Sequence, residues 1–183
     1  MIYAGYKKRS QGDEQYTPHY AVLPIIKYLP RNAVVWCPFD TENSEFVLAL
    51  KEAGYEVEYS HIFTGQDFFR YEPPRWDIIV SNPPFSRKQE VVERCLTLGK
   101  PFALLLSNLW LNSNAPCRLF KQREMQMLLF DKRIHYSDKN AVFFGSGYFC
   151  HRVLPKQIIF ENLATVKGEK SRMWRDVEKL SLI

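Results

Sequence analysis

Short apolar runs alternate with helical patterns along the first half of the chain. Residues 33–37, 55–62, 77–81 and 102–107 predict β-strands, because each run is short and rich in β-branched or aliphatic side chains. Between these runs, apolar side chains recur near every 3.6 residues at Phe46, Val47, Leu50 and Ala53, and again at Val91, Val92, Cys95 and Leu98. Gly54 and Gly99 follow as stop signals. This alternation predicts an α/β fold with a mostly parallel sheet covered by helices.

The second half of the chain predicts fewer regular elements. Residues 118–124 are expected to be helical, and residues 127–136 and 147–152 are expected to form a terminal antiparallel pair of strands. Only about a dozen residues separate the strands 55–62 and 77–81, so a loop around residues 65–69 is expected to replace the usual helix.

The length of 183 residues predicts a single domain with a substantial core, spanning residues 1–183. Residues 1–15 are expected to be a flexible start and residues 165–183 a helical tail. The tail carries an apolar stripe that would either close the core or meet a second copy of the chain in a homodimer.

Composition excludes several classes of protein. Apolar residues make up 46% and charged residues 25%, which argues against a disordered or fibrous chain. The longest apolar stretch, near residues 101–106, is far shorter than the roughly 20 residues that span a bilayer, so no membrane association is expected. The start of the chain lacks the apolar block of a signal peptide, and a cytoplasmic location is therefore expected. The four cysteines have no metal-ligand spacing, so neither a metal site nor a disulfide framework is predicted.

A mild basic excess is compatible with an anionic partner. The formal net charge is +5, and a cluster of basic side chains follows the middle of the chain at Arg118, Lys121, Arg123, Lys132 and Arg133. The cluster fits either a nucleic-acid backbone lying across a site or an ordinary exposed helix face.

The most informative segment follows the predicted strand 77–81, where the chain reads Ser81-Asn82-Pro83-Pro84-Phe85. Open α/β sheets bind ligands at the carboxyl ends of their strands. Two consecutive prolines hold Asn82 and Pro83 in an extended conformation, which makes a rigid platform with two acceptors, the Asn82 side-chain oxygen and a backbone carbonyl. Two acceptors on the hydrogens of a planar amine would localise its lone pair for attack, and Phe85 is placed to stack on the attached ring. A simple turn at the end of a strand remains the alternative.

This segment resembles motif IV of the amino-methyltransferases, the Asn/Asp-Pro-Pro-Tyr/Phe group that uses S-adenosyl-L-methionine. The resemblance implies a single Rossmann-like class I methyltransferase domain, in which Asn82, Pro83, Pro84 and Phe85 form the catalytic segment. It implies no general base, because the methylated amine is acidic enough to lose its proton to water.

The resemblance also implies cofactor contacts upstream of this segment. Tyr16, Thr17 and Pro18 resemble motif X, although Thr17 also suits a helix cap with Pro18 in the first turn. In the first strand-to-helix turn, Pro38 and Phe39 stand where the family places glycines. Asp40 suits the cofactor's ammonium group, with a helix-capping role as the alternative.

Two further positions concern the adenosine part of the cofactor. Asp67 and Phe68 resemble motif III, in which a carboxylate accepts from the cofactor's adenine amine and an aromatic ring packs on its face. The acidic ribose-binding residue that normally ends the second strand is replaced by Ser60 and His61, with Glu58 less conveniently placed.

Together these motifs resemble a compact group of phage and mobile-element DNA adenine methyltransferases. The resemblance implies methylation of the adenine amine in nucleic acid, DNA rather than RNA, and a phage or prophage origin. No large target-recognition domain is expected, because only residues 108–118 and 137–146 are spare. Methylation of RNA or of a protein glutamine is the first alternative. A non-catalytic binding module with the same fold is the second.

Overall fold

The computed structural model describes residues 17–136 and 144–163. The predicted flexible start at residues 1–15 and the predicted helical tail at residues 165–183 lie outside the described residues. Within the described residues, the helices and strands alternate along most of the chain. In order they are α1 (His19–Ile26), β1 (Val34–Cys37), α2 (Glu45–Glu52), β2 (Glu56–Tyr59), β3 (Ile78–Ser81), α3 (Lys88–Leu98), β4 (Phe102–Ser107), α4 (Asn114–Phe120), β5 (Gln126–Phe130), β6 (Ser146–His151) and β7 (Ile158–Glu161).

The strands form one seven-stranded sheet with the order β2-β1-β3-β4-β6-β5-β7. Strands β2, β1, β3 and β4 run parallel to one another. Strand β6 is antiparallel to both β4 and β5, and β7 is parallel to β5. Six strands therefore point their carboxyl ends to the same edge, and β6 runs the other way. The predicted fold class, a Rossmann-like α/β domain with a mostly parallel sheet and an antiparallel strand late in the chain, is confirmed.

Helices cover both faces of the sheet. Neighbouring strand positions point to opposite faces, so Val35 and Val80 pack with α1 and α2, whereas Trp36 and Ile79 pack with α3 and α4. Trp36 is completely buried. Because both faces are covered, the edge at the carboxyl ends of the strands is the natural position for a ligand.

Helix α3 has the bounds that its apolar periodicity predicts, and it follows the catalytic segment almost directly. Gly99 ends it in the left-handed conformation, with φ at 71°, as glycine does without a steric penalty. The expected shortening between β2 and β3 is also confirmed, since the described chain there contains only the 3-10 turn Ile62–Thr64 and a loop.

Three predicted elements differ from the structure. The second strand ends at Tyr59 rather than residue 62, because the backbone of Ser60 turns away to bond Cys37 and Asp40. The predicted strand 127–136 ends at Phe130. After Phe130, the side chain of Ile134 is also buried in the core. This apolar residue made the sequence resemble a strand that continues past Phe130.

The remaining differences concern α4 and β7. The helix predicted at residues 118–124 is instead Asn114–Phe120. Pro116 lies in its first turn, where its missing N–H is not needed by the helix. Strand β7 was not predicted, although Ile158, Ile159 and Phe160 form a short apolar run in the sequence.

Candidate active site

The two segments that sequence analysis selected meet at the carboxyl edge of the sheet. Strand β1 pairs directly with β3, with Trp36 opposite Ile79. The turn that contains Asp40 and the segment that contains Asn82 therefore leave neighbouring strands at the same edge. The parallel register explains why residues so far apart in sequence share one site.

Asp40 is buried and is held by Ser81, the last residue of β3 before the Asn82–Phe85 segment. The Ser81 hydroxyl donates a hydrogen bond to Asp40 Oδ2, and only 8% of Asp40 is exposed. Burial raises the pKa of Asp40 from 3.8 to about 6, although hydrogen bonds from Ser81 and Ser44 act in the opposite direction. A carboxylate in this environment gains strongly from a cationic group. Its helix-capping alternative loses support, because no side chain caps α2.

Asn82 is oriented by Thr17. Its Nδ2 atom donates to Thr17 Oγ1 at 3.1 Å, and Thr17 is 6% exposed. This contact brings together two motifs that are 65 residues apart. Because the amide nitrogen faces Thr17, the amide oxygen is directed away from it. The predicted capping role of Thr17 is wrong, since Pro18 occupies the N-cap of α1 without a side-chain hydrogen bond.

The backbone of the Asn82–Phe85 segment is extended at Pro84. Pro83 is buried, and Pro84 has φ of −57° and ψ of 128°. Directly after it, the chain enters a 3-10 turn, Phe85–Arg87, which leads into α3. Lys88 Nζ donates to the carbonyl of Phe85 at 2.9 Å, and this bond ties the turn to the start of the helix.

Phe85 lies between two aromatic residues that sequence analysis missed. Its ring centroid is 6.3 Å from that of Tyr136 and 5.7 Å from that of Phe144, and both rings stand nearly perpendicular to it. Such edge-to-face arrangements are favourable. Tyr136 and Phe144 are 51 and 59 residues further along the chain, and no local motif marks them. The aromatic and glycine content around residues 143–147 was the only available signal.

The glycine-free turn after β1 is rigid. Pro38 is buried, and the half-buried ring of Phe39 lies 4.9 Å from the ring of Phe68. Ser60 N donates to the carbonyl of Cys37 at 3.1 Å, and Asp40 N donates to the carbonyl of Ser60 at 3.2 Å. These bonds fix the turn against the end of β2, so packing replaces the usual glycines.

The Asp67-Phe68 segment lies beside this turn, and both of its side chains contact other residues of the protein. Asp67 Oδ1 accepts from Phe69 N at 3.0 Å, which is a common turn-stabilising contact. The ring of Phe68 is 2% exposed and packs 5.4 Å from Trp36. Arg87 lies 3.8 Å above the ring of Phe69 and connects the loop to α3. Phe68 is therefore part of the hydrophobic core as well as a candidate ligand contact.

The ribose candidates differ in their surroundings. His61 Nδ1 accepts from Phe63 N at 3.2 Å and caps the following 3-10 turn. Burial lowers the pKa of His61, so its ring favours the neutral form. Ser60 is buried and accepts from Trp36 Nε1 at 3.0 Å. Glu58 lies within β2, and Tyr16, the first residue of the predicted motif X, lies outside the described residues.

The basic cluster predicted near the site is divided between two edges of the sheet. Lys132 and Arg133 follow the carboxyl end of β5 and therefore lie at the edge of the site. Arg118, Lys121 and Arg123 precede the amino end of β5 and lie towards the opposite edge. Arg118 also forms an ion pair with Glu93. Of the two interpretations left open by the sequence, a phosphate backbone near the site therefore concerns Lys132 and Arg133, whereas an exposed helix face fits Arg118.

The described residues contain neither a group of metal-binding side chains nor a membrane-spanning helix. Among residues 17–136 and 144–163, no three His, Cys, Asp or Glu side chains are grouped closely enough to hold a metal ion. In the same part of the chain, no helix is long and apolar enough to cross a membrane.

Comparison with known proteins yields a distant likeness in structure. No protein-family model matches the chain, and no curated protein matches it in sequence. Among solved structures, it is similar to a protein described as a predicted O-methyltransferase from Agrobacterium tumefaciens. The identity is 8%, the match covers 88% of this chain and 95% of the other, and the TM-score is 0.42. At this identity and TM-score, the function of the chain has to be inferred from its own residues.

Proposed function

We propose that this chain is an S-adenosyl-L-methionine-dependent methyltransferase that acts on the exocyclic amine of adenine in nucleic acid, with DNA favoured over RNA. The observation that carries the proposal is the contact between Asn82 and Thr17, which orients an amide beside the two prolines. An oriented acceptor on a rigid backbone suits the alignment of an amine for attack. A simple strand-ending turn needs no such contact.

The residues at the first turn suit the proposed cofactor. Asp40 is a buried carboxylate with a pKa raised to about 6 by burial, and a cofactor ammonium group would offset that cost of burial. Asp67 and Phe68 lie beyond Phe39 on the same side of the sheet edge, where the adenine of the cofactor would extend. When bound, the cofactor supplies a methyl group on a positively charged sulfur.

The chain's residues would then hold the acceptor amine. Asn82 Oδ1 and the Pro83 carbonyl accept its two hydrogens, so that its lone pair faces the methyl carbon. The cofactor would supply the methyl group to this nitrogen and leave as the neutral thioether, and the extra proton of the amine would leave to water. Phe85 packs against the ring that carries the amine. Catalysis would arise from proximity and alignment.

The aromatic surroundings of Phe85 favour a planar base over a glutamine amide. The side chain of glutamine has no ring that could use the rings of Phe85, Tyr136 and Phe144. Lys132 and Arg133, at the edge of the site, suit a phosphate backbone. Both observations support nucleic acid, and neither distinguishes DNA from RNA.

Parallel transfer assays test the proposed acceptor. Purified protein, incubated with labelled S-adenosyl-L-methionine and with DNA, RNA and protein pools, is expected to label DNA most strongly. Digestion of the labelled DNA to nucleosides should give N6-methyl-2′-deoxyadenosine, and sequencing should give the site. Label in protein alone would refute the proposal. Absence of cofactor binding by calorimetry would instead favour the non-catalytic module.

The Thr17 contact gives a specific prediction. Thr17→Val removes the hydroxyl that accepts from Asn82 Nδ2 and keeps the side-chain volume. The turnover number is expected to fall by about tenfold, because a net hydrogen bond contributes about 1 kcal/mol to holding the amide. Cofactor affinity should be unchanged. Steady-state kinetics measure this effect, and Thr17→Ser, which keeps the hydroxyl, serves as the matched control. An unchanged turnover number in Thr17→Val would contradict the orienting role.

A further inference from the structure

Two buried hydroxyl groups lie beside the aromatic rings around Phe85. Tyr136 is 4% exposed and Ser146 is 2% exposed. Their hydroxyls are close enough for Ser146 to lower the pKa of Tyr136 as a hydrogen-bonding neighbour, but within the part of the chain that the structure describes neither hydroxyl has a hydrogen bond of ordinary geometry. Ser146 begins β6 and pairs with Ser107 at the end of β4, so both hydroxyls belong to the carboxyl edge of β4.

Leaving such groups without hydrogen bonds is costly. A buried hydroxyl without a partner destabilises the folded state, and the great majority of buried polar atoms in proteins avoid this condition. The hydroxyls of Tyr136 and Ser146, beside the aromatic rings around Phe85, therefore need an explanation. A ligand that supplies an acceptor at this place would satisfy them.

The chemistry of the two groups defines that acceptor. Burial raises the pKa of Tyr136, so its hydroxyl stays protonated and can donate. The rings of Tyr136 and Phe144 stand at 84° and 76° to the ring of Phe85, and a planar ligand stacked on Phe85 would meet them at a steep angle. In adenine, the ring nitrogens N1 and N7 lie on either side of the exocyclic amine, and both are acceptors.

We propose that Tyr136 and Ser146 recognise the target base by donating to a ring nitrogen next to the methylated amine, while Phe85 stacks on its ring. This inference rests on the proposed function and extends it from the amine to the ring. The Tyr136–Ser146 pair thereby contributes to base specificity. It also distinguishes a nucleobase from a simple amide, which offers no ring nitrogen.

Base analogues combined with hydroxyl-deleting variants test the pair. Oligonucleotides carry the mapped methylation site with adenine, 1-deazaadenine or 7-deazaadenine at the target position. On adenine, Tyr136→Phe and Ser146→Ala are each expected to lower kcat/KM by about tenfold, the effect of one lost hydrogen bond. With one of the two deaza analogues, the kcat/KM of wild-type protein should be lower than with adenine by a similar factor. With that analogue, the kcat/KM of each variant should be close to that of wild type, because the acceptor that the hydroxyls would bond is already absent.

Thermal stability provides a second measurement. Without substrate, the midpoint of unfolding of Tyr136→Phe should stay equal or rise, because an unsatisfied buried hydroxyl is removed. Tyr148→Phe is the matched control, since the Tyr148 hydroxyl is also buried but donates to the carbonyl of Ala21 at 2.9 Å. This control should lower the midpoint and give the same small activity change with all three bases.

The possible outcomes separate the two proposals. If wild-type protein methylates no nucleic acid, the proposed function fails and the role of the pair fails with it. If wild-type protein methylates adenine, but Tyr136→Phe and Ser146→Ala have no effect or reduce kcat/KM equally with all three bases, only the role of the pair is refuted. A lower midpoint of unfolding in Tyr136→Phe would also contradict it, since that result assigns the hydroxyl a structural partner.

Discussion

Asn82→Ala is expected to lower the rate of methyl transfer by at least about 100-fold, the scale seen when one oriented polar group is removed from an active site. The variant deletes the side-chain acceptor that would align the amine, and it also breaks the contact with Thr17 Oγ1. Cofactor affinity should be retained, because Asp40 and its partner Ser81 are untouched. Single-turnover kinetics with saturating cofactor measure the chemical step directly.

Two further variants separate the acceptor from the contact. Thr17→Val breaks the same hydrogen bond but keeps the Asn82 oxygen, so its loss of rate should be much smaller than that of Asn82→Ala. Asn82→Asp keeps an acceptor oxygen, and the family that the segment resembles accepts aspartate at this position, so measurable transfer is expected. Equal rates for Asn82→Ala and wild type would refute the catalytic assignment. A loss of cofactor affinity in Asn82→Ala would show that the residue acts on the cofactor side instead.

Local sequence signals predicted the elements that depend on local physics. The bounds of α3 follow from apolar side chains at helical spacing and from Gly99 at its end. Strand β3 was predicted because Ile78, Ile79 and Val80 form a short apolar and largely β-branched run, and all four of its residues are buried in the structure. These signals, with the Pro83-Pro84 pair, were enough to place the catalytic segment at the end of a parallel strand.

The parts that sequence analysis missed depend on partners distant in the chain. Strand β7 is defined by pairing with β5, and its run Ile158-Ile159-Phe160 is too short to show by itself where it joins the sheet. The contact of Thr17 with Asn82 and that of Tyr136 with Phe85 cross 65 and 51 residues. Helix propensity predicted Thr17 as a cap, but the tertiary partner used its hydroxyl instead. The sequence left the role of the basic cluster open for a similar reason, since the direction of β5 decides which edge of the sheet each residue reaches.

The cofactor side of the site replaces glycine flexibility with tertiary contacts. Phe39 packs on Phe68, which packs on Trp36, and Arg87 lies over Phe69. The turn after β1 is thus held between the start of α3 and the end of β2. Such a turn cannot adjust to a ligand as a glycine-rich loop does. The fit of the cofactor therefore depends on the preset position of Asp40.

Asp40→Asn is expected to have opposite effects on cofactor binding and on the stability of the free protein. The folded-state pKa of Asp40 is raised from 3.8 to about 6 by burial, so the folded state binds this proton more tightly than the unfolded state. The free energy of unfolding therefore decreases as pH rises between these two values. Above both values, the ionised carboxyl of Asp40 lowers the free energy of unfolding by roughly 3 kcal/mol. Below pH 3.8 the carboxyl is protonated in both states and this cost is absent.

The neutral asparagine removes the pH-dependent cost. The free energy of unfolding of Asp40→Asn should therefore exceed that of wild type near pH 7.5, and the difference should shrink as pH falls through about 6 towards 4. Urea denaturation across this pH range measures it. The comparison uses free protein, because bound cofactor would itself stabilise the wild type.

Although Asp40→Asn should raise the free energy of unfolding, it should weaken cofactor binding. Loss of the charged partner for the ammonium group is expected to weaken affinity by about 100-fold at pH 7.5, the scale of one charge-assisted hydrogen bond. Wild-type affinity should fall as pH decreases through about 6, whereas Asp40→Asn should bind weakly with little dependence on pH. Asp77→Asn is the matched control, because the Asp77 carboxylate accepts from Val34 N at 2.8 Å, at the far end of β3. Calorimetry that finds equal affinities in wild type and Asp40→Asn would remove Asp40 from the cofactor site.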